Sequence, residues 1–238
     1  MKMQKKILFV LMIFLMIASN VSAKSFYTNK NGAIFTLDEY DFISKMYYDG
    51  YQDLMSIDDL KMLRNNDVIG DNIVSVFSAI NEPQIANSLN TGGRILSMNK
   101  SCGASCLVTI SATWTGTPTI KSYDVLGFRT SGVSISSSNS AVVTGTNYNY
   151  SYSSNKSANN GRGYSIKFPN TTNVSVYASI YTSKGGTVYG SYQHAKSNIS
   201  LNNSKLYTFN SNGSGGTFLF YGAAFGKYDN VDGLSLSV

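Results

Sequence analysis

A chain of 238 residues, 42% of them hydrophobic and 13% aromatic, suffices for one large β domain or for a small domain beside a medium one. The formal charge of +6 overstates its basicity, because Lys2, Lys5 and Lys6 belong to an N-terminal leader and residues 24–238 carry 16 basic against 13 acidic groups. The basic residues of the second half are well separated, as at Lys156, Arg162, Lys167, Lys184 and Lys196, so they build no run suited to a nucleic-acid groove, and nucleic acid is not an expected partner.

Those three lysines precede an uninterrupted apolar run, Ile7 to Ala18, and the small residues of Val21-Ser22-Ala23 follow it. A positive n-region, a short apolar core and a small-residue cleavage site define an export signal over residues 1–23. The run is shorter than the roughly 20 residues that span a bilayer, so a cleaved signal is expected rather than an anchor. No later segment is apolar enough to cross a membrane. The expected location is secreted or at the cell surface.

Residues 24–93 form an expected acidic, helical N-terminal segment. Residues 24–90 hold 10 acidic and 5 basic groups, whereas residues 91–238 hold 3 acidic and 11 basic groups. That polarity suits docking of the acidic head on the β region, attraction of the β region to an anionic wall polymer or membrane, or simply spread surface lysines with no partner. Thr36 followed by Glu39 makes a capping box, and the apolar face of Leu37 to Tyr48 has helical spacing, with Gly50 as its stop. Ser56 and Asp59 repeat the capping pattern before a second helix that ends near Asn65. Helices this short need a surface to pack on. Ile73 to Ile80 reads as a strand or another short helix, and Thr91-Gly92-Gly93 as a junction.

Residues 94–238 are the expected basic β-sandwich domain. Cys102 and Cys106, with Gly103 and Ala104 between them, can close a disulfide if a turn brings their Cα atoms together; the pair alone does not suit zinc, which wants four ligands. Leu107 to Trp114 alternates, with Val108, Ile110, Ala112 and Trp114 on one face, the pattern of a strand with one face buried. Ile120 to Arg129 is its expected partner across Gly116-Thr117-Pro118. Further strands are predicted at Val133 to Ile135, Ala141 to Val143, Tyr148 to Tyr152, Tyr164 to Phe168, Asn173 to Tyr181, Thr187 to Tyr192, Leu206 to Phe209 and Thr217 to Phe225. Lys184-Gly185-Gly186 reads as a tight reversal between two of them. The fold class is therefore mainly β, an antiparallel β-sandwich or jelly-roll-like domain preceded by a short helical segment.

The chemistry-bearing residues are few. His194 lacks a recognisable nucleophile setting and reads as a surface or loop histidine. Asp124, Asp229 and Asp232 are the only acids of the β region; they could pair for hydrolysis or, for the latter two, ligate calcium with backbone oxygens. No cofactor is implied. The stronger hint is aromatic: Tyr148, Tyr150 and Tyr152, two apart on one strand face, with Arg162 and Tyr164 beyond the polar loop Ser153 to Gly163, make a candidate ligand platform, because a tyrosine joins a flat apolar ring to a hydroxyl. The alternative is that the ladder is core. The expected function is that of a non-enzymatic binding or structural module facing a cell-wall polymer, a glycan or a surface protein. An exported hydrolase is the second reading, and a pore-former built on an alternating hairpin at 130–147 the third.

Overall fold

The computed structural model describes residues 25–47, 50–69, 73–81, 93–201, 206–210, 217–229 and 233–238; the expected export signal lies outside them. The described chain opens on a ribbon of β1 (Phe26–Thr28) and β2 (Ile34–Thr36), then α1 (Leu37–Met46) and α2 (Ile57–Asn65). Both predicted caps form. The Thr36 hydroxyl accepts the Glu39 N–H at 3.2 Å while the Glu39 carboxylate accepts the Thr36 N–H at 2.8 Å, and the Ser56 hydroxyl accepts the Asp59 N–H at 3.0 Å. Gly50, at φ 95°, leads into a 3-10 turn at Tyr51–Asp53 between the helices.

Two large antiparallel sheets follow. The seven-stranded sheet runs β3 (Val74–Asn81), β4 (Gly93–Cys102), β5 (Cys106–Trp114), β12 (Ser175–Thr182), β8 (Ala141–Gly145) and β9 (Tyr148–Tyr152), with β7 (Ile135–Ser138) beside β8 on the same edge of β12. The five-stranded sheet runs β10 (Lys156–Ala158), β11 (Gly161–Lys167), β6 (Tyr123–Ser131), β13 (Thr187–Gln193) and β16 (Leu234–Ser237). The segment read as strand or helix is thus a strand, β3, paired along its length with β4. A separate hairpin joins β14 (Tyr207–Phe209) to β15 (Phe218–Phe220).

Two expected pairings are overturned. β6 does not pair with β5; the chain crosses to the other sheet after Trp114, and the partners of β5 are β4 and β12. Likewise Lys184-Gly185-Gly186 does not close a hairpin, because β12 and β13 lie in different sheets. In each case two apolar faces meet across the space between sheets instead of lying edge to edge. The hairpin that does form is β4–β5, where Cys102 opposes Cys106 with Cα atoms 4.1 Å apart and the predicted disulfide is made.

Among the described residues three hydrophobic clusters hold the layers. Leu96, Met98, Ile110 and Ile180 of one sheet meet Leu126, Phe128 and Ile166 of the other. On the outer face of the seven-stranded sheet, Phe42, Ile43, Met46 and Leu63 of the helices cover Leu107, Val142 and Tyr181. On the outer face of the five-stranded sheet, the β14–β15 hairpin and Tyr228 cover Val125. The alternation of β5 and β12 therefore does not mark a solvated face. All eight residues of β12 are buried, since the helices cap its second face and supply polar partners. The Thr109 hydroxyl donates to the Met46 carbonyl at 2.7 Å, and Tyr47 donates to Ser179 at 3.2 Å.

Among the described residues the ion pairs of the head, Arg64–Glu39 and Lys61–Asp58, are internal to it, so its docking is apolar and hydrogen-bonded. Segment 130–147 is docked as well, with both β7 and β8 paired to β12. Among the described residues no helix is long and apolar enough to cross a membrane.

Candidate functional site

The tyrosine ladder lies on β9, the edge strand of the seven-stranded sheet. Tyr148 and Tyr152 are half-buried against the inter-sheet core, and the Tyr152 hydroxyl donates to the Lys167 carbonyl of the facing sheet at 3.2 Å. Tyr150 is 55% exposed, its ring 4.7 Å from that of Tyr152. Tyr164 belongs to the inter-sheet core against which Tyr148 and Tyr152 pack. It stands beside Leu126 on the inner face of β11, fully buried, donates to the Asn139 carbonyl at 2.7 Å, and has its phenol pushed up to about 12 by burial. The Arg162 guanidinium donates to the carbonyls of Ala158 and Gly161 in its own turn. The five residues do not form one surface: Tyr164 is core, and Tyr150 is the exposed ring.

His194 is the larger correction. It is 3% exposed and stands just beyond β13, where it meets Asp124 of β6, itself wholly buried. The ring Nδ1 lies 2.8 and 2.9 Å from the two carboxylate oxygens. An ionised carboxylate only accepts, so Nδ1 carries the proton. Asp124 also accepts the Tyr192 hydroxyl and the Ala195 N–H, the latter at 3.0 Å. Burial, and then the Asp124 charge, push the Tyr192 phenol well above its ordinary value. Trp114 packs edge-on against the imidazole at 4.7 Å and Phe168 at 5.8 Å.

A second buried pair adjoins the first. Arg94, 1% exposed and opposite Trp114 in the β4–β5 register, donates to Asp229. Its guanidinium centre lies 5.1 Å from the Trp114 ring and 5.4 Å from the Tyr192 ring, distances at which an aromatic face attracts a cation. Asp229 also accepts the His194 N–H at 2.9 Å, and its own N–H donates to the His194 carbonyl at 3.0 Å. Burial raises the Asp229 carboxyl pKa, with Arg94 acting against it. Of the three acids, Asp124 and Asp229 converge on one residue, His194, while Asp232 lies outside the described residues. Asp229 is occupied by Arg94 and His194, and among the described residues no group of three or more His, Cys, Asp or Glu could hold a metal ion.

Asp229 also reaches the surface. It lines a groove of about 320 Å³ with Gln193, Lys196, Phe220, Phe225 and Tyr228. Phe220 and Tyr228 stack at 3.9 Å with their planes 7° apart, and Phe225 is 76% exposed. The Gln193 side-chain oxygen is buried with no hydrogen-bond partner among the described residues. Sequence reading missed this groove because it took Thr217 to Phe225 only as a strand. The signal available was the density of rings in Phe218-Leu219-Phe220-Tyr221, followed by Phe225 and Tyr228. Comparison with protein-family models, with curated proteins and with solved structures finds no match.

Proposed function

We propose that the chain is an exported, non-enzymatic binding module acting at or outside the cell surface, built on an antiparallel sandwich scaffold, with a glycan or a sugar-bearing wall polymer as its ligand. The observation that carries this reading is the groove lined by the stacked Phe220 and Tyr228, the exposed Phe225 ring, Gln193 and Asp229. Ring faces match the C–H faces of sugars, and a few fixed polar groups orient the hydroxyls. The signal-like N-terminus supports delivery outside the cell. Glycan arrays and wall-polymer pulldowns with the secreted protein test the proposal. Phe225→Ala abolishes capture if the groove binds, whereas capture unchanged in Phe225→Ala but lost in Tyr150→Ala moves the site to the β9 edge.

A hydrolase is the second reading, favoured by the Asp124–His194 contact. Release of reducing sugar ends or peptides from wall preparations, abolished by His194→Gln in a variant with an unchanged fold, would establish it.

A further inference from the structure

The outer face of the five-stranded sheet holds another cavity, of about 350 Å³, lined by Arg129, the turn Ser131–Val133, Asn160, Phe209 and Asn210. Arg129 stands on β6 with Gly161 and Tyr189 as its cross-strand neighbours, and it is 8% exposed. Its guanidinium centre lies 4.2 Å from the Tyr189 ring centroid, which satisfies one π face. Along its N–H edge there is no hydrogen bond or ion pair among the described residues.

Each of the other arginines has at least one hydrogen-bond partner among the described residues. Arg64 is bound by Glu39, Arg94 by Asp229, and Arg162 by two carbonyls. Of the three acids in residues 91–238, Asp124 serves His194 and Tyr192 on the inner face, Asp229 serves Arg94, and Asp232 lies outside the described residues. A guanidinium presents five donors and no acceptor, and those of Arg129 are not sealed from solvent, so a ligand in the cavity can reach them. The fork geometry suits an oxyanion received by two parallel hydrogen bonds. Gly161 is what leaves room for the wall: a Cβ there would lie 2.7 Å from two atoms of the Phe209 ring. Asn160 adds an exposed amide at the mouth.

We infer that this cavity is an oxyanion-binding site, in which Arg129 receives a phosphate or carboxylate group carried by a ligand, with Phe209 against the ligand's body and Asn160 at the entrance. The site is separate from the aromatic groove and does not rest on it. A ligand with both sugar rings and regular anionic groups would engage the two sites on opposite strands of the β14–β15 hairpin.

The test is titration of isotope-labelled protein with inorganic phosphate and, in parallel, with glucuronate, at low salt with chloride as the control anion. Saturable shifts of the Ser131, Gly132, Val133 and Asn160 amides support the site, and the tighter of the two anions identifies the group it takes. Arg129→Gln weakens that binding at least about tenfold, and Asn160→Ala, on an exposed position, weakens it about two- to threefold. Absence of shifts with both anions, shifts located elsewhere, or equal binding to Arg129→Gln overturns the inference. The shift map on the unaltered chain decides the matter even where Arg129→Gln does not fold.

Discussion

Asp124 and His194, 70 positions apart in the chain, meet 2.8 Å apart at one end of the inter-sheet core, and three donors converge on the single carboxylate. Asp124→Ala strands the His194 ring, the Tyr192 hydroxyl and the Ala195 N–H together. Removing one partner from a buried polar network costs about 3–5 kcal/mol. Equilibrium urea unfolding measures this directly, and a loss below about 1 kcal/mol would mean that water replaces the carboxylate there.

Arg94 and Asp229 behave as a coupled pair. Arg94→Met alone leaves a buried carboxylate without its cation and destabilises by about 3 kcal/mol or more. Adding Asp229→Asn removes the stranded charge and restores part of that loss, so the double-mutant cycle is strongly non-additive. Additive losses in the same unfolding experiment would show that the two side chains do not act together.

The hairpin β14–β15 sits on glycines. A Cβ on Gly127 would run into the Phe218 ring and the Arg162 carbonyl. Gly127→Ala displaces Phe218 at a cost of about 1–3 kcal/mol. Faster amide hydrogen exchange in residues 207–209 and 218–220, with the β4–β5 amides unchanged, is the expected signature.

Acid loosens the head before the sheets. Burial pushes the Glu39 carboxyl up, but the Arg64 hydrogen bond and the Thr36 N–H outweigh it and hold the carboxyl below its usual range. A carboxyl whose folded-state pKa lies below its unfolded value contributes stability above the unfolded pKa, and loses it as pH falls through the folded one. Helical content should therefore fall on acidification below the ordinary glutamate range. In Glu39→Gln it should be lower at neutral pH and less dependent on acid, as far-UV circular dichroism can follow.

Reduction of Cys102–Cys106 is a small perturbation. The disulfide closes a loop of only a few residues, so its removal costs about 2 kcal/mol by the chain-entropy relation. Cys102→Ser with Cys106→Ser should lower the unfolding midpoint while leaving the β4–β5 pairing in place, which calorimetry and amide exchange check together.

Local structure was legible in the sequence where a short motif carries its own partners. The Thr36–Glu39 box, the Ser56 cap and the Cys102–Cys106 turn each close within five residues, and each forms. Strand existence was also legible for Leu107 to Trp114 and Asn173 to Tyr181, because a period of two survives whatever covers the strand. Pairing was not. Whether an apolar face looks at a neighbouring sheet or at a helix leaves the same alternation, so Thr109 and Ser179 read as solvated although they bond to the helical head. The buried site was the least visible part. His194 has no periodic context, and its partners Asp124, Arg94 and Asp229 come from separate strands and a distant turn. Nothing in the local sequence marks them as one group.

The covered outer face of the seven-stranded sheet bears on what trimming of the chain would do. A protease that trimmed the segment before β3 would uncover Leu107, Val142 and Tyr181 in one step. The trimmed molecule would be adhesive along that flank, pairing with copies of itself or with whatever apolar surface it met, as exposed apolar patches do. Retention or loss of the first helices would thus decide between a solitary particle and one that assembles.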